Sequence, residues 1–213
     1  MLLVRDNRPG GGGRTPLGWA AMNGHGGVVK ILLGRDDVDP NRPELSGETP
    51  LGWAAYMGYS GVVEILLGRD DINPNQPDDH GRTPLSQAAL GGHEGVVKIL
   101  LGRDDVDPNR AKLGGETPLL WAAYEGHSGV VEILLGRDDV DPNKPDDEGA
   151  TPLWWAAREG HEGVVKTLLR RGDINPNKLN SFGIAPLRAA TIHGHGRVVA
   201  LLQPSASTTP RTA

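Results

Sequence analysis

The sequence has no cysteine, few aromatic residues and no long apolar run. The absence of cysteine excludes a disulfide framework and thiolate metal sites, and it fits a reducing compartment. Apolar helical stretches such as residues 28–33 are soon interrupted, whereas a membrane-spanning helix needs about 18 or more apolar residues. Residues 1–5 are too short an apolar segment for a secretory signal. These absences predict a soluble, cytoplasmic chain that does not contact a membrane.

The charge balance and the composition narrow the class of protein further. The net charge is −5 and the sequence pI is about 5.8, which argues against nucleic acid as the main partner because phosphate binding needs clustered Lys and Arg. Glycine (31 residues) and proline (17 residues) are abundant, as in disordered chains. However, both recur at fixed positions along the chain, which indicates a repeat rather than disorder.

Internal repetition is the dominant signal of the sequence. The tripeptide Thr-Pro-Leu recurs every 34 residues, with Ala-Pro-Leu in the last copy, starting at Thr15, Thr49, Thr83, Thr117, Thr151 and Ala185. Within each unit the order is a turn glycine, Thr-Pro-Leu, Ala-Ala, Gly-His, Val-Val, Leu-Leu and a segment like Asp-Val-Asp-Pro-Asn. The second unit has Gly-Tyr in place of Gly-His. Fixed periods of this length indicate a solenoid.

The first half of each unit predicts a helix. Thr is a good N-cap and Pro is tolerated in the first turn, so Thr-Pro marks a helix start. In the first unit Leu17, Ala20, Ala21 and Gly24 lie on one helical stripe. The small residues on this stripe allow a second helix to approach closely.

The second half of each unit predicts another helix and a turn. In the first unit this helix covers about residues 26–33 and is expected to end at Asp36, where the fifth unit has Gly172. Asp or Gly there would supply a left-handed closing residue. The Asp-Pro-Asn segment cannot continue a helix. Because neither helix is long enough to be stable alone, neighbouring units must stack.

The units are expected to form an all-α solenoid of six helix-turn-helix repeats with extended turn or finger connections over residues 13–202. Residues 1–12 are expected to be the remnant of a preceding repeat followed by a Gly-rich joint, and residues 203–213 a disordered tail. The remnant suggests either a fragment of a longer array or a chain that arose by recombination inside one.

This combination of motifs resembles the ankyrin repeat. The resemblance covers about residues 13–202 in six concordant copies. The usual His after Thr-Pro-Leu is missing, and each unit is one residue longer than the usual length of about 33. The Trp-Ala-Ala and Asp-Val-Asp-Pro-Asn motifs resemble those of ankyrin arrays of fungal NOD-like receptor proteins. The resemblance implies a non-catalytic module that binds a protein partner, and the fungal similarity implies the recognition region of a larger receptor-like protein.

The positions that differ between the copies point to a binding surface. They are the two positions after Ala-Ala, the turn tips and the position after the turn glycine. Ankyrin proteins bind partners through such positions, and Tyr and Trp are frequent interface anchors. The predicted partner-binding patch comprises Tyr56, Met57, Leu90, Leu120, Tyr124 and Trp154, rimmed by Glu125, Arg158 and Glu159. Drift of exposed positions is the alternative, but it does not explain the preference for large apolar residues there.

A row of tryptophans follows the same period. It comprises Trp19, Trp53, Trp121 and Trp155. The row either lines the groove or packs between repeats, and packing is favoured.

Metal binding and catalysis are rejected because the candidate residues have the wrong spacing or the wrong neighbours. The repeated His residues should lie about 8–10 Å apart, whereas zinc ligands lie about 2 Å from one ion, so each His is expected to bridge the turn between its two helices. The segment starting at Asp37 resembles a calcium loop, but Arg42 replaces the required glycine. No arrangement of nucleophile and base stands apart from the repeated framework. We therefore expect no metal, cofactor or catalysis. The remaining rival is a structural array that self-associates through its uncapped first unit.

Overall fold

The computed structural model describes residues 13–203, and in that part every regular element is a helix. The predictions for residues 1–12 and for the tail beyond Gln203 lie outside the described residues. The first helix of each repeat, here the inner helix, spans Pro16–Met22 (α1), Pro50–Tyr56 (α3), Pro84–Leu90 (α5), Pro118–Glu125 (α7), Pro152–Glu159 (α9) and Pro186–Ile192 (α11). The second, here the outer helix, spans Gly26–Leu33 (α2), Ser60–Leu67 (α4), Glu94–Leu101 (α6), Ser128–Leu135 (α8), Glu162–Leu169 (α10) and Gly196–Leu202 (α12). The predicted all-helical solenoid is confirmed.

The inner helices start where Thr-Pro predicts. In α1 the Oγ1 atom of Thr15 accepts a 3.0 Å hydrogen bond from the backbone N–H of Gly18, and Pro occupies the first turn. The same cap recurs in α3, α5, α7 and α9. The last inner helix starts at Ala185, which has no hydroxyl and makes no side-chain cap. The cap is therefore missing only from the last of the described inner helices.

The apolar stripes of both helices form one continuous core. Inner helices pack beside inner helices, outer beside outer, and each inner helix packs on its own outer helix. The alanine pairs, the valine pairs and the first leucine of each Leu-Leu motif in the central repeats are almost fully buried, and the second leucine packs partly buried against this core. Small residues on the inner stripe thus let the helices approach, as the periodicity predicts.

The predicted left-handed end of the outer helix is wrong. The first outer helix ends at Leu33, and no non-glycine residue among those described has a positive φ. The left-handed residues are instead glycines of the turn between the helices and of the fingers. At Gly126, for example, φ is 83° and an added Cβ would lie 2.6 Å from Nδ1 of His161 in the next repeat. Only glycine satisfies both the backbone conformation and the close approach.

The fingers connect each outer helix to the next inner helix and contact one another. They comprise residues 44–48, 78–82, 112–116, 146–150 and 180–184, each closed by a backbone hydrogen bond between its first and last residues. Neighbouring fingers also bond, for example from the N–H of Asp147 to the carbonyl of Gly114 at 3.0 Å. Such bonds join the first finger to the second, the third to the fourth and the fourth to the fifth, so these fingers lie side by side.

The Asp-Pro-Asn segments form a second row of contacts between repeats. The side chain of Asn109 donates from Nδ2 to the carbonyl of Asp139, and its Oδ1 accepts a 2.9 Å hydrogen bond from the N–H of Asp141. Asn41, Asn75 and Asn143 do the same. The segment that resembles a calcium loop thus holds adjacent repeats in register.

Candidate partner-binding face

Four of the predicted site residues come together in one pocket. Tyr56 and Met57, at the end of α3, are 41% and 38% exposed. With Leu90, Gly91, His93 and Glu125 they line a pocket of about 530 Å³, here the central pocket. Tyr56 and Met57, Leu90, and Glu125 belong to three successive repeats. Variable positions of neighbouring units therefore converge, as the comparison of the copies predicts.

Two predicted members of the patch are not on the surface. Leu120 is 2% exposed and Trp154 is 8% exposed. Trp154 also donates from Nε1 to the carbonyl of Ile184, in the finger of the next repeat, at 3.0 Å. Both are third residues of their inner helices, where a side chain points back toward the helix start. There the adjoining fingers cover it, so the exposed patch is smaller than predicted.

Tyr124 lies between two tryptophans rather than free in the groove. Its ring packs edge-to-face against Trp121 at 6.0 Å and against Trp155, in the next repeat, at 5.2 Å. These three rings, with Glu116 and Leu120, line a pocket of about 230 Å³, here the aromatic pocket. For the tryptophan row, both alternatives therefore hold at this position: Trp155 packs between repeats, and Trp121 and Trp155 also line a cavity.

The rest of the tryptophan row varies in exposure. Trp19 is 50% exposed, whereas Trp53 is partly buried with the guanidinium of Arg14 above its ring at 5.2 Å. The third repeat has Gln87 at this position. The row is thus not a uniform packing element.

The predicted rim residues Arg158 and Glu159 are partly buried and interact with each other. Arg158 Nε lies 3.5 Å from a carboxylate oxygen of Glu159, and the guanidinium lies 4.8 Å from the ring centre of Trp155. The rim therefore adjoins the aromatic pocket and places a cation over one of its walls.

The repeated histidines join neighbouring repeats. The prediction that each bridges the turn between the two helices of its own repeat is therefore wrong. His93 donates from Nε2 to the carbonyl of Tyr56 at 2.8 Å. His127, His161 and His195 make the same bond to the preceding inner helix. A carbonyl can only accept, so Nε2 must carry the proton. Among residues 13–203, no group of three or more His, Cys, Asp or Glu side chains could hold a metal ion.

The sequence did not predict that the carboxylate of Glu48 is buried next to Gln87. Glu48 is 6% exposed and its Oε2 accepts a 2.7 Å hydrogen bond from Nε2 of Gln87. Burial raises the pKa of Glu48 to about 7, partly offset by the Gln87 bond and reinforced by the negative charge of Asp78. The coincidence of Glu after the turn glycine with Gln in place of Trp in the next repeat could have indicated it.

Further lining residues were also missed. Gly91 and His93 line the central pocket, and Glu116, Trp121 and Trp155 line the aromatic pocket. A pocket of about 310 Å³ lies at the last repeat, beside Phe182 and Ile192, which are 72% and 61% exposed. Both positions are variable between copies, which is the signal that could have included them.

Comparison with known proteins supports the repeat assignment. The family described as "Ankyrin repeats (3 copies)" matches residues 2–78, 71–146 and 138–211. No curated protein matches the chain. No helix among residues 13–203 has the length and apolar content to cross a membrane. Ankyrin repeats generally mediate protein–protein interaction and are typically not catalytic. Because the matches cover almost the whole sequence and the helix pairs repeat as expected, the chain belongs to the ankyrin repeat family.

Proposed function

We propose that this chain is a non-catalytic module that binds a protein partner on its inner face, centred on the central pocket. The observation that carries the proposal is the convergence of Tyr56, Met57, Leu90 and Glu125 from three repeats on one cavity. The buried framework between them hardly changes from copy to copy. Large side chains that differ between copies and gather in one exposed region are typical of a recognition surface rather than of packing.

The central pocket is suited to docking without rearrangement. The partly exposed ring of Tyr56 packs edge-to-face against Trp53, with 6.3 Å between the ring centres. The hydrogen bond from His93 holds the backbone carbonyl of Tyr56. Aromatic anchors in preformed pockets give most of the binding energy at many interfaces. A preformed surface also loses little conformational entropy on binding. Glu125 adds an exposed negative charge at the edge of the pocket.

The binding proposal is tested by paired variants and a native lysate. Tyr56→Ala with Met57→Ala removes the exposed anchors, whereas Glu64→Ala with Lys98→Ala changes exposed positions on the outer helices. A partner that the wild type and the outer variant capture equally should be lost with the inner variant, while the helical content measured by circular dichroism stays unchanged. Equal capture by all three would contradict docking at the central pocket. Tyr124 is a poor choice here because its packing on two tryptophans would confound binding with stability.

The larger protein to which this array would belong is proposed from two sequence motifs alone. The Trp-Ala-Ala and Asp-Val-Asp-Pro-Asn motifs support the proposal that this array is the recognition region of a larger, cytoplasmic, fungal receptor-like protein. Sequencing the full native transcript tests this proposal. A reading frame without a nucleotide-binding region would contradict it.

A self-associating array is the second candidate, and the first repeat supports it. Val28 is 46% exposed and Ile31 is 74% exposed, whereas the equivalent Val62 is 3% exposed. Among the described residues, no repeat covers this apolar end of the stack. Sedimentation at several concentrations separates the candidates, because only self-association predicts a mass that rises with concentration. Ile31→Glu should then abolish the rise, and a constant mass would contradict self-association.

A further inference from the structure

The aromatic pocket has a composition that the central pocket lacks. Three of its walls are the rings of Trp121, Tyr124 and Trp155, which meet nearly at right angles, at 89° for the first pair and 80° for the second. The fourth side is the carboxylate of Glu116. Aromatic faces carry negative potential and attract cations within about 6 Å of the ring centre. The cavity therefore combines three aromatic rings with a formal negative charge.

Two cations of the chain already lie at the margin of the pocket, Lys112 over Trp121 and Arg158 over Trp155. The ammonium of Lys112 lies 4.7 Å from the ring centre of Trp121 and 3.0 Å from Oε1 of Glu116. The other carboxylate oxygen, Oε2, is buried and accepts no hydrogen bond from the described residues. Nε1 of Trp121 is likewise buried without a partner there. The oxygen that an incoming ammonium can reach is therefore Oε1, which Lys112 now occupies.

The charges around the pocket are mixed, with a carboxylate on each side. Asp147, on the adjoining finger, lies against Gly115, with its Oδ1 2.8 Å from the position of a Cβ there. Glu125 follows Tyr124 and is exposed. The opposing positive charges are Lys112, which pairs with Glu116, and Arg158, which pairs with Glu159. Glu116 is the one charged residue that lines the pocket itself.

This arrangement is specific to one junction between repeats. In the second repeat Trp53 and Tyr56 also pack edge-to-face, but the next repeat supplies Gln87 instead of a third ring. The third repeat has Gln87 and Leu90 at the positions of Trp121 and Tyr124. Within residues 13–203, three rings meet only between the fourth and fifth repeats. The pocket is therefore not a by-product of the repeated framework.

We propose that the aromatic pocket binds an alkylammonium group, that of a lysine side chain presented by the protein partner. This inference rests on the proposed protein-binding function and adds the chemistry of one contact. The alkyl stem packs against the rings, and the ammonium takes the place of that of Lys112, beside Oε1 of Glu116 and over the ring of Trp121. Lys112 is the internal competitor, because its ammonium uses the same carboxylate and the same tryptophan.

The test uses a lysine derivative and needs no identified partner. Nα-acetyl-lysine methylamide is titrated into protein labelled with ¹⁵N at the tryptophan indoles, with Nα-acetyl-norleucine methylamide as the neutral match. The indole signals of Trp121 and Trp155 should shift with a dissociation constant on the order of millimolar, and the neutral compound should bind at least about tenfold more weakly. Equal binding of the two compounds, or no shift at these two signals, would overturn the proposal.

Variants separate the cation pocket from nonspecific binding. Trp121→Gln introduces the residue that the third repeat carries at this position, and it should weaken lysine binding about tenfold, read at Trp155. Glu116→Gln should weaken it severalfold, and Lys112→Met should strengthen it severalfold because the internal ammonium is gone. The control Trp19→Gln, at an exposed ring outside the pocket, should leave binding unchanged. Weaker binding in Lys112→Met, or unchanged binding in Trp121→Gln, would contradict the proposal.

Failure of this inference is distinguishable from failure of the proposed function. If partner capture depends on Tyr56 and Met57 but Trp121→Gln retains full affinity, protein binding stands and the lysine contact is refuted. If the lysine derivative binds as expected but partner capture does not depend on Tyr56 and Met57, lysine binding by the aromatic pocket is supported and docking at the central pocket is refuted.

Discussion

The imidazole of His93 donates a 2.8 Å hydrogen bond from Nε2 to the backbone carbonyl of Tyr56, which lies 37 residues earlier in the chain. Tyr56 is the last residue of α3 and an exposed side chain of the central pocket. One framework side chain therefore holds both the junction between two repeats and the backbone of a binding residue. Stability of the stack and the shape of the proposed site are coupled at this point.

Removing the histidine bond should destabilise the array, and adding one should stabilise it. His127→Ala leaves the carbonyl of Leu90 without its donor, which should lower the free energy of unfolding by about 1–2 kcal/mol. The second repeat carries Tyr59 at this position, so Tyr59→His should gain up to about 1 kcal/mol by donating to the carbonyl of Met22. Urea denaturation measures both changes. A loss of stability in Tyr59→His would contradict the assigned role.

The asparagine row should contribute only where a following repeat exists. Asn109→Ala removes two hydrogen bonds to the next repeat and should cost about 1–2 kcal/mol of unfolding free energy. The matched control is Asn177→Ala, because no described repeat follows to accept that side chain. Chemical denaturation of the two variants should differ clearly. Equal costs would mean that asparagine acts within its own turn rather than between repeats.

Restoring the missing helix cap should stabilise the last repeat. Ala185→Thr supplies the hydroxyl that the other inner helices use, and a good N-cap contributes about 1 kcal/mol. Thr151→Ala, which removes the bond to the N–H of Trp154, should lose a similar amount. Thermal unfolding and hydrogen exchange of α11 report the gain. Faster exchange in Ala185→Thr would refute the capping interpretation.

The buried carboxylate of Glu48 should make stability fall as the pH rises through neutrality. Burial raises its pKa from an ordinary value near 4.5 to about 7, so between these values the folded chain binds more protons than the unfolded chain. Stability then decreases with increasing pH across this window, by up to about 3 kcal/mol. Denaturation from pH 5 to pH 8 measures the slope.

A neutral side chain at position 48 should remove this dependence. Glu48→Gln keeps the shape and an acceptor for Gln87 but carries no charge, so its stability should exceed that of the wild type above pH 7. The control Glu64→Gln, exposed on an outer helix, should retain the wild-type slope. A slope that persists in Glu48→Gln would show that another group causes it.

The sequence predicted the architecture well because the same motifs recur in six copies. A motif that is ambiguous in one copy is supported by its counterparts in the others. Thr-Pro, the alanine pair and the valine pair each signal weakly, but copies at a constant spacing leave few alternative folds. The end of the outer helix was misplaced at Asp36 because a residue suited to a left-handed turn need not adopt one. In the structure the helix ends at Leu33, and its C-cap Gly34 keeps a negative φ.

The candidate site was only partly predictable, for a physical reason. Variation between copies identified Tyr56, Met57, Leu90 and Glu125, which do share a pocket. It could not show that a finger covers Trp154, because cover comes from a segment 30 residues away. Nor could it show which exposed rings meet across a junction, since that depends on the rotamers of two different repeats.

The side chains that link repeats, the asparagines and the histidines alike, reach only the adjoining unit. The junctions therefore share one geometry, and in the central units they are nearly interchangeable. Deleting or duplicating a whole 34-residue unit would recreate the same contacts at the new seam. The array can consequently change its length by unequal crossing-over without passing through an unstable intermediate, and each such event would shuffle which pockets stand side by side.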